Sequence, residues 1–314
     1  MADTKPGSSG GTLDVLIAID DAVYKGATRS VIDSIFLQPQ EALPQPEPRF
    51  DVVQVPVSSL RNTPMFQHYR NIIICDVNAG NPDKMYHSVD PWAEPQIVYE
   101  LSVSNEEMLR TLLRKGADRI VKDIYRAEHR RMKKAFKGIE GVEVREAIRK
   151  QTGLTLTVGN EFEVARPDNP SPNFMWVRKE TKDFSLGLFI HLIPRDGDAP
   201  YSEARLLDTL AKQMNCHVPG IVAGSYMDIE RRLPFYTKEV VLGDSLKAIE
   251  TRGCWRTEGA FMGGPFINYV VATPDSSDWL FLTGYVYYPS GRLKSVTKRD
   301  LLMQVEGICH SVEF

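Results

Sequence analysis

A strand–strand–helix order that recurs along the chain constrains the fold more than any single residue does. The first copy reads Asn71–Val77, Gln96–Val103 and a long helix from Asn105. The second reads Phe174–Lys179, Ser185–Leu192 and a helix from Ser202 to about Met214; the third reads Phe266–Thr273, Trp279–Tyr288 and a helix from Thr297 to about Val312. In the last two copies the paired runs are rich in aromatic and β-branched residues, which makes them hairpin material. Each then feeds a helix whose apolar residues recur at amphipathic spacing. Every one of these helices opens on a small polar residue with an early acid: Ser104 with Glu106 and Glu107, Ser202 with Glu203, Thr297 with Asp300. The hydroxyl accepts from an orphan amide, and the acid complements the positive end of the helix. A hairpin that feeds a helix needs a sheet face to pack on. The pattern therefore predicts an α+β fold, with mainly antiparallel sheets covered by helices on one face.

A β-α-β opening precedes the repeats. Leu13–Ile19 is a short apolar run, Gly26–Leu37 has helical spacing at Val31, Ile32, Ile35 and Phe36, and Phe50–Val55 is the next strand. Pro39, Pro44, Pro46 and Pro48 rule out regular structure in between. The helix from Asn105 keeps one stripe apolar to about Lys137, which predicts a connecting helix between an N-terminal and a C-terminal part, with the boundary near Gly138–Gly141. The expected organisation is a flexible tether over 1–12, a part over 13–138 and a part over 139–314, the last two separate or one continuous domain. A chain of 314 residues can bury the core that either arrangement needs.

Charge and cysteine usage exclude several classes. The net charge of −3 gives no global drive towards nucleic acid, and no apolar run approaches the ~18 residues of a membrane span. Cys75, Cys216, Cys254 and Cys309 show neither C-x-x-C nor regular spacing, so no zinc site and no disulfide framework is implied. The six histidines form no i, i+4 metal pair, and no metal or other cofactor is expected. Residues 1–11 lack a charged n-region and an apolar h-region; the chain reads either as cytoplasmic or as a mature form whose signal is gone.

The candidate site is the segment from Arg252 to Phe266. It reads as an alternating strand that breaks at Gly263-Gly264-Pro265, which either starts the next strand or marks a sheet corner. Period two puts Cys254, Arg256 and Glu258 on one face and Trp255, Thr257 and Gly259 on the other. One reading makes Arg256 and Glu258 a structural ion pair with Trp255 in the core. The other makes Arg252, Trp255, Arg256, Glu258 and the Gly263-Gly264 backbone the rim of a ligand pocket. Val218-Pro219-Gly220 to Ser225-Tyr226-Met227 is a second specific loop, and Ser225 and Tyr226 join the candidate ligand contacts. No serine-nucleophile or phosphate-loop motif follows any strand, so no catalytic residue is assigned. Asp20 and Asp21 at a strand end read as a turn and helix entry or as active-site carboxylates. The basic run from Arg110 to Lys137 reads as a solvated helix face or as a contact for anionic head groups.

Leu43-Pro44-Gln45-Pro46-Glu47-Pro48-Arg49-Phe50-Asp51, Asn173–Glu180, Val218-Pro219-Gly220 with Gly224–Met227, and Arg252–Phe266 together resemble a Bacteroidetes family, domain of unknown function 4837. The resemblance covers most of the chain after about Leu13. It implies an envelope lipoprotein with a lipidated cysteine, a short polar tether and then this domain, facing the periplasm. It supplies no catalytic residues. This chain departs from that layout in having no cysteine before Cys75. The expected function is a non-enzymatic binding or assembly module whose partner is an envelope protein or polymer, with no nucleic acid and with membrane association through an N-terminal lipid anchor that this chain does not carry. The alternative is a hydrolase or transferase acting on an envelope polymer, with Glu258 and one of Asp20, Asp21 or Glu161 as acid-base groups.

Overall fold

The computed structural model describes residues 5–165, 170–195, 201–275, 277–289 and 296–314. They form an α+β fold in two compact units. Unit 1 comprises Met1–Gln40 and Pro48–Arg131; unit 2 comprises Glu41–Glu47 and Met132–Phe314. The expected boundary at Gly138–Gly141 lies further along the chain than this division, which falls inside the long helix.

Unit 1 is an α/β layer. Its elements are β1 (Asp14–Ile19), α1 (Gly26–Phe36), β2 (Asp51–Val55), α2 (Val57–Asn62), α3 (Pro64–Gln67), β3 (Asn71–Val77), β4 (Lys84–Val89), β5 (Ile97–Val103) and α4 (Glu106–Gly138), which continues into unit 2. The sheet order is β2-β1-β3-β5-β4. β1, β2, β3 and β5 run parallel, and only the edge strand β4 is antiparallel. The first strand pair is thus a parallel crossover and not a hairpin, in keeping with the near-continuous burial of Val15–Ile19 and Ile72–Cys75, which a strand covered on both faces requires. The rings of Phe36 on α1, Phe50 and Tyr125 on α4 join those elements at centroid distances of 5.9 and 5.6 Å. The cap of α4 is Asn105, whose side chain accepts from Met108 N at 3.0 Å. Ser104, the expected cap, is held by Asp83 instead.

The segment expected to be a flexible tether is tied down from Pro6 to Gly11. Ser8 N donates to Glu94 O, Ser9 N to His68 O and Arg70 N to Ser9 O. Gly11 N donates to an Asp14 carboxylate oxygen at 2.6 Å. Composition alone reads these residues as a linker because main-chain pairing needs no apolar side chain.

Unit 2 adds α5 (Val142–Thr152), β6 (Glu163–Val164), β7 (Phe174–Glu180), β8 (Ser185–Pro194), α6 (Glu203–His217), β9 (Tyr226–Ile229), β10 (Tyr236–Leu242), β11 (Leu246–Glu258), β12 (Gly263–Ala272), β13 (Asp278–Tyr287) and α7 (Lys298–Cys309). Its antiparallel sheet runs β10-β11-β12-β13-β8-β7-β6, with β9 beside β11. The two hairpins β7–β8 and β12–β13 meet at a long β8–β13 seam from Asp278↔Pro194 to Tyr287↔Ser185. The expected caps are made: Ser202 accepts from Arg205 N, and Thr297 accepts from Asp300 N.

Helices cover both faces of this sheet, not the one expected. Leu206, Leu210 and Met214 of α6 pack with Phe174, Phe189, Trp255 and Phe281. Leu301, Val305 and Ile308 of α7, with Ile148 of α5, pack with Met175, Leu188, Tyr269 and Leu282. The reason is in β12 and β13, which are buried at nearly every position and so leave two apolar faces to cover. Residues Glu41–Glu47, the proline-spaced segment, lie against this unit as a strap. Both Glu47 carboxylate oxygens cap α7, accepting from Lys298 N at 3.1 Å and Arg299 N at 2.8 Å.

Candidate functional site

The thirteen residues of β11 carry a row of polar side chains along one face: Glu250, Arg252, Cys254, Arg256 and Glu258. Period two puts them together, but what covers the strand separates them. Arg252 is buried rather than at a rim. Its Nε donates to Glu250 Oε1 at 2.8 Å, and its two terminal nitrogens donate to the Glu306 carboxylate on α7 at 2.8 and 3.0 Å. Burial works to raise the Glu250 carboxyl, but the charges of Arg252 and Lys238 outweigh it and hold that group down at about 2. The same two carboxylates hold the Arg252 guanidinium charged against burial. Cys254 comes next, its thiol donating to Ala42 O of the strap at 3.4 Å. Only beyond the strap does the row reach solvent, where Arg256 and Glu258 pair with each other.

Trp255 points the opposite way, into the core under α6, and donates through Nε1 to Val286 O at 3.1 Å. The Gly263-Gly264 pair starts a strand and is not the break itself: β11 ends at Glu258, and β12 begins at Gly263. A Cβ on Gly264 would stand 2.1 Å from Val286 O, so strand β13 approaches too closely for any side chain. Pro265 is tolerated because pairing with β13 begins only at Phe266. The turn between the strands is at Gly259, whose φ of +80 suits glycine.

Ser225 and Tyr226 do join Glu258. Tyr226 lies opposite Glu258 in the β9–β11 register, and Asp228 lies opposite Arg256. The Ser225 hydroxyl is buried, donates to Val222 O at 2.6 Å and accepts from Val222 N at 3.1 Å. It therefore staples the loop and is not free for a ligand. Glu230 and Arg232 extend the charged margin: Arg232 donates to the Glu230 carboxylate from its side chain and its backbone, which draws that carboxyl down to about 2.

The residues that the sequence reading missed are apolar. Ile221 is 79% exposed, Val222 52% and Phe261 106%. They sit on two neighbouring turns, since a Cβ on Gly259 would lie 3.3 Å from Ser225 Cβ and one on Gly220 would lie 2.6 Å from Thr257 Cγ2. Their signal was the glycine that brackets each turn, with no polar residue at the tip. Glu161, a candidate second carboxylate, is taken by Lys179 at 2.6 Å. In unit 1, Asp20 accepts from Val57 N and Asp21 from Gln54, so each serves a turn or helix start. Among the described residues no group of three His, Cys, Asp or Glu side chains could hold a metal ion.

A family model described as a domain of unknown function (DUF4837) matches residues 142–311. The chain belongs to this family. A second model, also of a domain of unknown function (DUF8532), matches residues 8–137. The gap between the two matches falls at the end of α4, and the whole β9–β11 corner lies within the DUF4837 region. No curated protein and no solved structure matches the chain.

Proposed function

We propose that this DUF4837 protein is a non-enzymatic binding or assembly module of the cell envelope, held on the periplasmic side by a lipid anchor. Its contact surface is the end of the large sheet formed by residues 219–226 and 256–262, and its partner is an envelope protein or polymer. The observation that carries the reading is the exposure of Ile221, Val222 and Phe261 on adjoining turns. Contiguous exposed apolar side chains rimmed by polar ones mark interaction sites. Here the rim is Tyr226, the Arg256–Glu258 pair and the Glu230–Arg232 pair. The envelope location rests on the family resemblance alone. Hydrolysis by two carboxylates has little support, because Glu258 is engaged by Arg256 and Glu161 by Lys179. No helix among the described residues is long and apolar enough to cross a membrane.

The test is a pull-down from envelope fractions with the full chain and with an Ile221→Ser/Phe261→Ser double variant. The reading expects one partner that the wild type captures and the variant loses while its circular dichroism is unchanged. Equal capture by both proteins removes the proposed surface. Turnover of an envelope polymer that Glu258→Gln abolishes without unfolding the chain removes the non-enzymatic reading. Protease accessibility of the protein in intact and permeabilised cells tests its side of the membrane.

A further inference from the structure

Unit 1 contains a cavity of about 180 Å³ that the proposed contact surface does not use. It lies between α4 and the β4–β5 hairpin, and one of its walls is tied by hydrogen bonds through Gln96. On α4 the apolar stripe runs through Ile120 and Ile124 and then drops to Ala127, which leaves room where a longer side chain would fill it. Opposite stands the loop from Asp90 to Gln96. The buried Gln96 carboxamide oxygen accepts from Trp92 N at 3.1 Å and Ala93 N at 3.2 Å, while its amide donates to Gln67 O and Tyr69 O at 2.6 Å each. A preformed concavity of this kind is where small ligands bind. A cavity of about 150 Å³ holds a benzene ring, so this one has the size of a single ring or a branched chain.

Its electrostatics select the sign of the ligand. Arg130 and Arg131 line it, with Asp90, Asp123 and His87, whose ring stacks on Tyr99. Arg131 is buried and shares the one Glu128 carboxylate with Arg70, at 2.7 and 3.0 Å. Asp123 accepts from Tyr99 Oη at 2.5 Å and lies within 3.8 Å of Arg119 and 3.7 Å of Arg126. Asp90 accepts from Gln96 N. The lining thus sets two guanidiniums (Arg130 and Arg131) against two carboxylates (Asp90 and Asp123), with Arg70, Arg119, Arg126 and Glu128 behind it, and each of these three carboxylates already has a donor. Arg130 is solvent-exposed, and among the described residues it has no ion-pair partner. The apolar part of the wall is Val89, Pro95, Ile97 and Ala127.

We propose that this cavity binds a small organic carboxylate, with its ring or branched chain against Ala127 and Ile97 and its carboxylate on Arg130. Planar two-point recognition of a carboxylate is what a guanidinium does best. The basic run of α4 is then divided. Arg131 is spent on the buried network, Lys133 pairs with Glu313 and Lys137 with Glu140, while Arg130 is left for a ligand.

The test uses benzoate as the probe, with benzylamine and inorganic phosphate beside it, in calorimetric titrations of the full chain and of Arg130→Ala and Ala127→Phe. Benzoate is expected to bind saturably at one site. Benzylamine should not bind, and phosphate should bind at least tenfold more weakly because it leaves the apolar wall unused. Arg130→Ala should weaken benzoate about tenfold, the loss of one charged hydrogen-bonding partner, and Ala127→Phe should abolish binding. Should Ala127→Phe fail to fold by circular dichroism, the exposed Arg130 variant decides alone. The proposal is overturned by no saturable benzoate binding at tens of millimolar, by benzylamine binding as well as benzoate, or by benzoate affinity unchanged in the folded variants.

Discussion

Replacing Arg252 by Met is the sharpest test of how unit 2 is held together. The substitution keeps a long apolar stem and deletes the guanidinium that joins β11 to α7. Three hydrogen bonds of 2.8, 2.8 and 3.0 Å are lost, and Glu250 and Glu306 stay behind, both buried. Lys238, 3.2 Å from Glu250, is left as a half-exposed counter-charge. Removing one member of a buried ion pair costs about 3–5 kcal/mol, and two buried carboxylates lose this cation at once, so the upper end is expected. With a urea m value of about 2 kcal/mol/M, the unit 2 midpoint falls by about 2.5 M. Trp176, Trp255 and Trp279 report that transition once Trp92 of unit 1 is replaced by Phe. The pH dependence then reverses. In the wild type the Glu250 carboxyl is lowered from 4.5 to about 2. A lowered carboxyl stabilises fully above about pH 4.5 and loses that contribution as pH falls towards 2. At about 1.4 kcal/mol per unit the contribution is roughly 3 kcal/mol. Without Arg252 the burial that opposes ionisation is no longer outweighed, so the carboxyls rise and the variant regains stability from pH 8 to 5. A loss below about 1 kcal/mol at pH 8 that is the same at pH 5 would refute the reasoning.

Gly264→Ala should cost about 1–3 kcal/mol in chemical unfolding, because its methyl meets the Val286 carbonyl at 2.1 Å and strand backbone cannot step aside. Gly116→Ala is the contrast: its nearest neighbour, the Met85 sulfur at 2.9 Å, belongs to a flexible side chain, and alanine gains up to about 1 kcal/mol of helix propensity, so stability should hold or rise. Glu47→Ala removes the carboxylate from the first amides of α7 and should cost about 1 kcal/mol, with faster amide exchange at Lys298 and Arg299. Phe261→Ser should leave the melting temperature unchanged, since that ring touches little; a drop of several degrees would mean that the turn is packed.

Periodicity made the secondary structure of unit 2 legible. The hairpin runs and the helices after Ser202 and Thr297 follow from local alternation, amphipathic spacing and caps. What it could not show depends on distant partners. β4, Lys84–Val89, carries no alternation because it is an exposed edge. Parallel pairing of β3 with β5 and antiparallel pairing of β12 with β13 look alike in one dimension. The ion pair of Arg252 with Glu306 joins residues 54 apart, so nothing near Arg252 marks it as buried. Alternation correctly separated Trp255 from Arg256 and Glu258, but it carries no information on where α7 and the strap stop covering the strand. That limit turned a strand of three environments into one imagined rim.

Ser225 tests whether the contact surface is built in advance. The loop tip at Ile221 and Val222 is exposed, yet its base is fixed by Gly220 N to Ser225 O at 2.8 Å, Ser225 N to Val222 O at 2.9 Å and Met227 N to Val218 O at 2.9 Å. The hydroxyl adds two bonds to Val222 and fills the space against Gly220, where a Cβ would lie 2.2 Å from it. Ordering a loop on binding costs about 0.5–1.5 kcal/mol per immobilised side chain, and a stapled loop has met that cost beforehand. Ser225→Ala removes the staple on the Val222 backbone and keeps the side chains of Ile221, Val222 and Phe261. It should speed amide exchange at Val222 and Ser225 and weaken partner capture about fivefold, for a loss near 1 kcal/mol, while the melting temperature changes little. Unchanged exchange in the loop would mean that its backbone bonds suffice. Capture as weak as in the Phe261 variant would mean that Ser225 meets the partner directly, as the sequence alone suggested.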